Sequence, residues 1–192
     1  MMDVDRAKLK GDRIMNDKLS RAFHYLIYLA QERHWPMGAT LLLKSMVLSE
    51  AASLYYRQRP LTGAKIVKAP FGPVPDQHDD YLRWLENEGR IRIIEGTRKY
   101  DPTTYESLSP PDLSGFDAQE LEIMAEIGET CCKKYSATAL SNFTHDYWWK
   151  LVGMGEEIPL AAYLYPEDVE GLPLSDDDTV QLDKASREEL HA

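Results

Sequence analysis

The chain has 192 residues, 43% of them hydrophobic, with 11 Tyr and 4 Trp, which is enough apolar matter for one full core. Its net charge of −10 is uneven: from residue 166 to 192 nine acids face only Lys184 and Arg187, a net −7, which leaves −3 for the rest. That balance argues against a body gripping nucleic acid by backbone charge alone, and no apolar run approaches the roughly 18 residues of a membrane span.

Residues 1–13 alternate charges without an apolar stretch, so they read as a flexible lead and not as a secretory signal. Leu19, Phe23, Leu26, Ile27 and Ala30 then recur at helical steps and predict a helix over 17–33, with Asp17 as its cap and Pro36 and Gly38 ending it. His24 on this helix reads as a satisfied packing residue. Thr40 is the expected cap of a second helix over 41–57. That helix is apolar around most of its circumference, with Lys44 and Glu50 its only charges before Arg57, and should therefore be central.

The next stretch, PLTGAKIVKAPFGPVP over 60–75, is the shaped junction of the chain. Pro60 and Gly63 flank a turn, 64–69 reads as a strand, and Pro70, Gly72, Pro73 and Pro75 follow within six residues. Each proline fixes its own φ, lacks a donor and restricts its predecessor, so 71–75 is expected to be one rigid extended connection. A third helix is predicted over 76–88, stopped by Gly89, then a hairpin of 90–95 and 97–101 around Glu95-Gly96, and a loop over 102–115.

Asp117-Ala-Gln-Glu120 is a capping-box pattern opening a helix over 117–134. Cys131 and Cys132 on it are adjacent, so they point about 100° apart and form neither a mutual disulfide nor a metal clip. Two cysteines suit a reducing, cytoplasmic setting. Ser136 caps a short helix over 137–143. Tyr147, Trp148 and Trp149 follow, and consecutive aromatics on a regular element cannot all enter one core, so at least one must meet a second surface. Residues 161–165 add a last helical turn. The chain thus reads as mainly α with a small antiparallel β element between helices: one domain over 14–168, and an acidic, flexible tail over 169–192 that either solubilises the chain or steers a basic partner.

Phosphate-binding glycine loops, HExxH, GxSxG and CxxC patterns are all missing, so no catalytic residue, cofactor or metal site is expected. His78, Asp79 and Asp80 diverge on a helix and do not converge on one ion. The candidate binding residues are Lys65, Lys68, Phe71, Val74, Tyr147, Trp148 and Trp149, carried by the strand, the stiff turn and the aromatic segment.

In order and spacing, Leu43-Lys44 through Tyr56, then Pro60-Leu-Thr-Gly63, then Ala69-Pro-Phe-Gly-Pro-Val-Pro75, and later Leu140-Ser141 through Trp149, the chain resembles the Panacea domain, or SocA-like antitoxin domain. It departs where Ser45-Met46-Val47 replaces the usual LLY step and where no glycine precedes Pro60. The resemblance implies a non-enzymatic module of toxin–antitoxin and phage-associated genes that neutralises a cognate protein toxin by direct contact. It also implies, for one branch, delivery of the toxin to an AAA+ protease. A nucleic-acid-binding regulator of its own operon is the competing class. Asp76, Asp79 and Asp80 at the start of the third helix would repel phosphates and count against it.

Overall fold

The computed structural model describes residues 17–98, 101–145 and 147–164, with the side chain of Tyr147 outside that set. The expected lead over 1–13 and the acidic tail over 169–192 lie outside the described residues. Within them the chain is mostly helical, in the order α1 (Asp17–Glu32), α2 (Ala39–Arg57), β1 (Ile66–Ala69), β2 (Gly72–Pro75), α3 (His78–Asn87), β3 (Ile91–Ile94), β4 (Thr104–Ser107), α4 (Ala118–Lys134), α5 (Ala137–Phe143) and α6 (Tyr147–Leu151), closed by a 3₁₀ turn, Leu160–Leu164. Among the described residues no helix is long and apolar enough to cross a membrane.

Helix α2 is central. Leu41, Leu42, Met46, Val47 and Ala51 are buried, and so are Lys44, Ser45, Ser49, Glu50 and Ser53, so no face of it is left to solvent over its first three turns. Helices α1, α4 and α5, strand β2 and the 3₁₀ turn all pack on it. Helix α1 presents Leu19, Phe23, Leu26, Ile27 and Ala30 to this core, as the periodicity predicts. The chain then reverses through His34, at φ 55°, and seats Trp35 and Met37 in the core. Gly128 lets α4 approach closely there, because a Cβ on it would lie 3.1 Å from the Trp35 ring and 3.2 Å from Leu26.

Three expected boundaries change. The cap of α2 is Gly38 rather than Thr40, because the Ala39 amide is satisfied across the fold by the Thr103 carbonyl at 2.8 Å. Helix α3 begins at His78, since the Asp76 amide donates to Lys65 O at 2.8 Å and belongs to the end of the first hairpin. The return strand of the second hairpin is Thr104–Ser107, inside the stretch expected to be loop. Asp101, expected on the return strand, instead accepts from the Arg98 amide at 3.0 Å and the Thr97 hydroxyl at 3.2 Å.

The capping box of α4 forms as the sequence predicts: Asp117 accepts from the Glu120 amide at 3.0 Å, and Glu120 accepts from the Asp117 amide at 3.1 Å. Arg57, its side chain buried, joins this cap from the end of α2 by contacting both Asp117 and Glu120. Lys18 of α1 reaches Glu120 at 2.8 Å, so one helix start ties three helices together. Asp117→Ala should lower stability by about 1–2 kcal/mol in urea denaturation, and Asp117→Asn, which keeps a capping oxygen, should recover much of that loss. An unchanged midpoint for the alanine variant would show that the cap contributes nothing.

Candidate functional site

Both ends of the 60–75 segment are anchored on α2. Glu50 is fully buried, and its carboxylate accepts from the Leu61 amide at 2.8 Å, the Thr62 amide at 3.0 Å and the Thr62 hydroxyl. Burial pushes its carboxyl upward, and the hydrogen bonds from Thr62 and Leu61 oppose that shift. The Pro-Leu-Thr-Gly turn is thus wrapped around one side chain, with Gly63 at φ 74° supplying the left-handed residue that lets the chain turn away.

The second anchor is Lys44, also buried, whose Nζ donates to the Pro73 carbonyl at 2.6 Å. Residues 72–75, expected to be a rigid extended connection, form strand β2, paired with β1 in the register Ile66↔Pro75, Val67↔Val74, Lys68↔Pro73 and Ala69↔Gly72. Proline tolerates this because hydrogen-bonded and non-bonded pairs alternate in an antiparallel ladder. The backbone groups of Ile66 and Lys68 turn to the other side of β1. There Ile158 donates to Ile66 O at 2.8 Å, the Lys68 amide to Glu156 O at 2.9 Å, and Gly155 to Lys68 O at 2.9 Å. Pro73 and Pro75 therefore stand opposite residues that ask no donor of them. With its carbonyl turned away from β1, Pro73 meets Lys44.

Gly72 is the tightest point of this contact. Its φ is 100°, and a Cβ there would sit 2.6 Å from Lys44 Nζ and 2.9 Å from Thr144 Oγ1. Burial alone lowers Lys44 to about 7.

The aromatic segment packs on the same hairpin. Trp149 donates from Nε1 to Ala69 O at 3.2 Å, stacks on His145 with ring centroids 4.0 Å apart, and carries Lys68 Nζ 4.3 Å above its ring. Lys68 also donates to Val152 O at 2.7 Å. The Ser141 hydroxyl donates to Phe71 O at 2.8 Å, fixing the hairpin tip against α5. His145 is held below the usual imidazole range by burial first, then by Lys44, Lys150 and Lys68, against a hydrogen bond with the Phe71 backbone.

The expected site residues therefore separate. Phe71 stands out at the tip, 74% exposed, and Lys65 is exposed at the opposite, open end of the hairpin, 3.4 Å from Glu157. Val74 is buried under the hairpin and supports it from within, which corrects its expected place on the surface. Lys68, Trp148 and Trp149 are half-buried, and Trp149 meets its second surface inside the molecule. Tyr147 opens α6, and its side chain lies outside the described residues. Phe143, Leu151 and Met154, on neighbouring elements, are exposed large apolar residues the sequence did not single out. Nor did it assign roles to Lys44 and Glu50, although two charges on a helix apolar all round were a usable signal.

His24 is satisfied as expected, its Nε2 3.0 Å from Ser109 O and 3.2 Å from the Ser107 hydroxyl. His78 places Nδ1 3.0 Å from Pro75 O, with Asp79 3.6 Å from its other nitrogen. Among the described residues no three His, Cys, Asp or Glu side chains are grouped to hold a metal ion.

Residues 42–150 match the family model described as antitoxin SocA-like, Panacea domain, which is more than half of the chain. The chain belongs to this family. No curated protein and no solved structure matched it. The matched Panacea region runs from just before Lys44 to just after Trp149, and so contains both anchors, the hairpin and the aromatic segment.

Two outcomes follow from these anchors. Between its folded value of about 7 and its ordinary 10.5, Lys44 holds a proton in the unfolded chain that it gives up on folding. Its contribution to stability therefore rises with pH across that window and is at its lowest, and flat, below about 7. Measured against Lys44→Met, the native chain should gain about 2 kcal/mol between pH 6.5 and 8.5 in urea titrations, and parallel pH profiles would refute the lowered proton affinity. Gly72→Ala should cost about 1–3 kcal/mol, read as a lower denaturation midpoint, because it combines a left-handed backbone with a clash at Lys44.

Proposed function

We propose that this Panacea-domain chain is an antitoxin that neutralises a cognate protein toxin by direct binding, without performing a reaction, through the face built on the β1–β2 hairpin. The observation that carries this reading is an exposed aromatic on a fixed backbone. Phe71 is 74% exposed, yet the hairpin beneath it is tied by Lys44 to Pro73, by Ser141 to Phe71 O and by Trp149 to Ala69 O. A side chain offered from an ordered backbone loses little entropy on binding, and large aromatics dominate interface energetics. Phe143 on the adjoining α5 and the exposed Lys150 extend the face, and the exposed Lys65 marks the other end of the hairpin. The family description supports the antitoxin role, and the engagement of Lys44 and Glu50 with backbone groups supports a binding scaffold over a reactive centre.

Co-expression with the toxin encoded beside it should restore growth, and Phe71→Asp should abolish that rescue. In purified components the same variant should weaken association on the order of 100-fold while leaving the thermal midpoint within a degree or two, since Phe71 contributes nothing to the core. Undiminished rescue and affinity in a Phe71→Asp, Phe143→Ala double variant would sink this face as the toxin contact.

A further inference from the structure

A cavity of about 350 Å³ lies away from the hairpin tip, between α2, α3 and the β3–β4 pair. Its walls are fixed by hydrogen bonds from two backbone amides. The Ile93 amide donates to Glu86 at 2.9 Å, joining β3 to α3, and the Ala39 amide donates to Thr103 O at 2.8 Å, joining the start of α2 to the approach to β4. The apolar part of its lining is Leu43, Leu82 and Ile93, with Leu82 in the core and Leu43 and Ile93 packed against it.

The polar part is unbalanced. Among the described residues that line the cavity, Asp79, Glu86 and Glu95 stand against Arg83, with His78 3.6 Å from Asp79. One Glu86 oxygen is engaged with Ile93, which leaves the other available. Tyr105, the cross-strand partner of Ile93, also lines it. Burial and the Asp79 carboxylate push its phenol up to about 12, so at neutral pH it presents an intact hydroxyl that both donates and accepts.

We propose that this cavity receives an arginine side chain presented by a partner protein. A guanidinium on an apolar stem matches each feature. The three methylenes cover Leu43, Leu82 and Ile93, while the planar head offers five donors to carboxylates set on different walls and to the Tyr105 oxygen. A lysine would bring the charge but only a point donor, and would leave some of those acceptors unmet. A neutral ligand would add no cation to a lining in which Asp79, Glu86 and Glu95 outnumber Arg83 and His78. This pocket goes beyond the hairpin face and stands whether or not that face is the one touching a toxin.

The test uses the full chain and Nα-acetyl-arginine-N-methylamide, followed by NMR at the Leu43, Leu82 and Ile93 methyl groups. Saturable shifts at these three residues are expected. Asp79→Asn with Glu95→Gln, both on exposed positions and harmless to the fold, should weaken binding at least tenfold, and Tyr105→Phe should weaken it several-fold. The blocked citrulline analogue, of the same shape without the charge, should give no saturable shift, and blocked lysine should bind at least threefold more weakly. Free arginine adds an α-ammonium and a carboxylate whose effects at the acidic rim oppose each other, so it should bind no more tightly than the blocked form. No saturation with blocked arginine, indifference to the double variant, or equal binding by citrulline or lysine would overturn the assignment. Tighter binding of free arginine would replace the protein partner by a small-molecule ligand and overturn it too.

Discussion

Two ionisable side chains buried on one helix, neither facing an opposite charge, hold this molecule's most distinctive segment in place. Lys44 and Glu50 lie six residues apart on α2, on different sides of it, and each is directed at backbone polar groups of residues 60–75. Placing a charge in an apolar interior is costly unless its hydrogen bonds are met. Glu50 meets that cost with two amides and a hydroxyl, which is why its carboxyl is drawn upward by burial yet held back by its partners. Lys44 has a single carbonyl at 2.6 Å and responds by losing much of its affinity for the proton. The same contacts solve a problem of the loop. A buried strand carrying two prolines and a turn carrying free amides would otherwise leave unpaired polar groups against the core.

The prolines of β2 acquire their meaning from this arrangement. With Pro73 and Pro75 in the non-bonded register, β2 pairs with β1 on one side only, and its outward carbonyl at Pro73 goes to Lys44. Strand β1 in turn uses its second edge for residues 155–158, so a short sheet edge is covered instead of left open. Stiffness in the chain and satisfaction of its polar groups come from the same residues. A hairpin held this way moves little, and its tip side chain is carried on a platform fixed from three directions, by α2, α5 and α6.

The helices were legible because their signals are local. Asp117 with Glu120, Ser136, and the spacing of Leu19, Phe23, Leu26 and Ile27 each act within a turn or two, and α1, α4 and α5 appear where these residues put them. What was lost depends on partners far along the chain. Residues 97–101 looked like a return strand, but Asp101 bonds to Thr97 and Arg98 a few residues back, and the partner of β3 lies further on at Thr104–Ser107. Thr104–Ser107 was hidden among prolines and serines, although its β-branched and aromatic residues suit a strand, and its Ser107 amide is claimed by Gln31 of α1 at 2.9 Å. FGPVP read as a stiff connection for a sound reason, the loss of donors, but only the register with β1 shows that those donors were not needed. Of the candidate site, the tip was legible as a position and Val74 was not, since a four-residue strand buried along its whole length gives no alternation to read.

This division of labour bears on how such a scaffold could meet different partners. Lys44 and Glu50 are held by hydrogen bonds of 2.6 and 2.8 Å, Val74 is buried, and Gly72 has no room for a side chain, so changes there alter the platform itself. Phe71 and Lys65 are exposed, and the hydrogen bond that fixes the tip runs through the backbone oxygen of Phe71, which any residue supplies. The identity of the tip side chain is therefore free of the constraints that hold its backbone. A protein that recognises by such a tip can change what it binds by substituting one or two side chains, without re-solving the burial of two charges on which its fold depends.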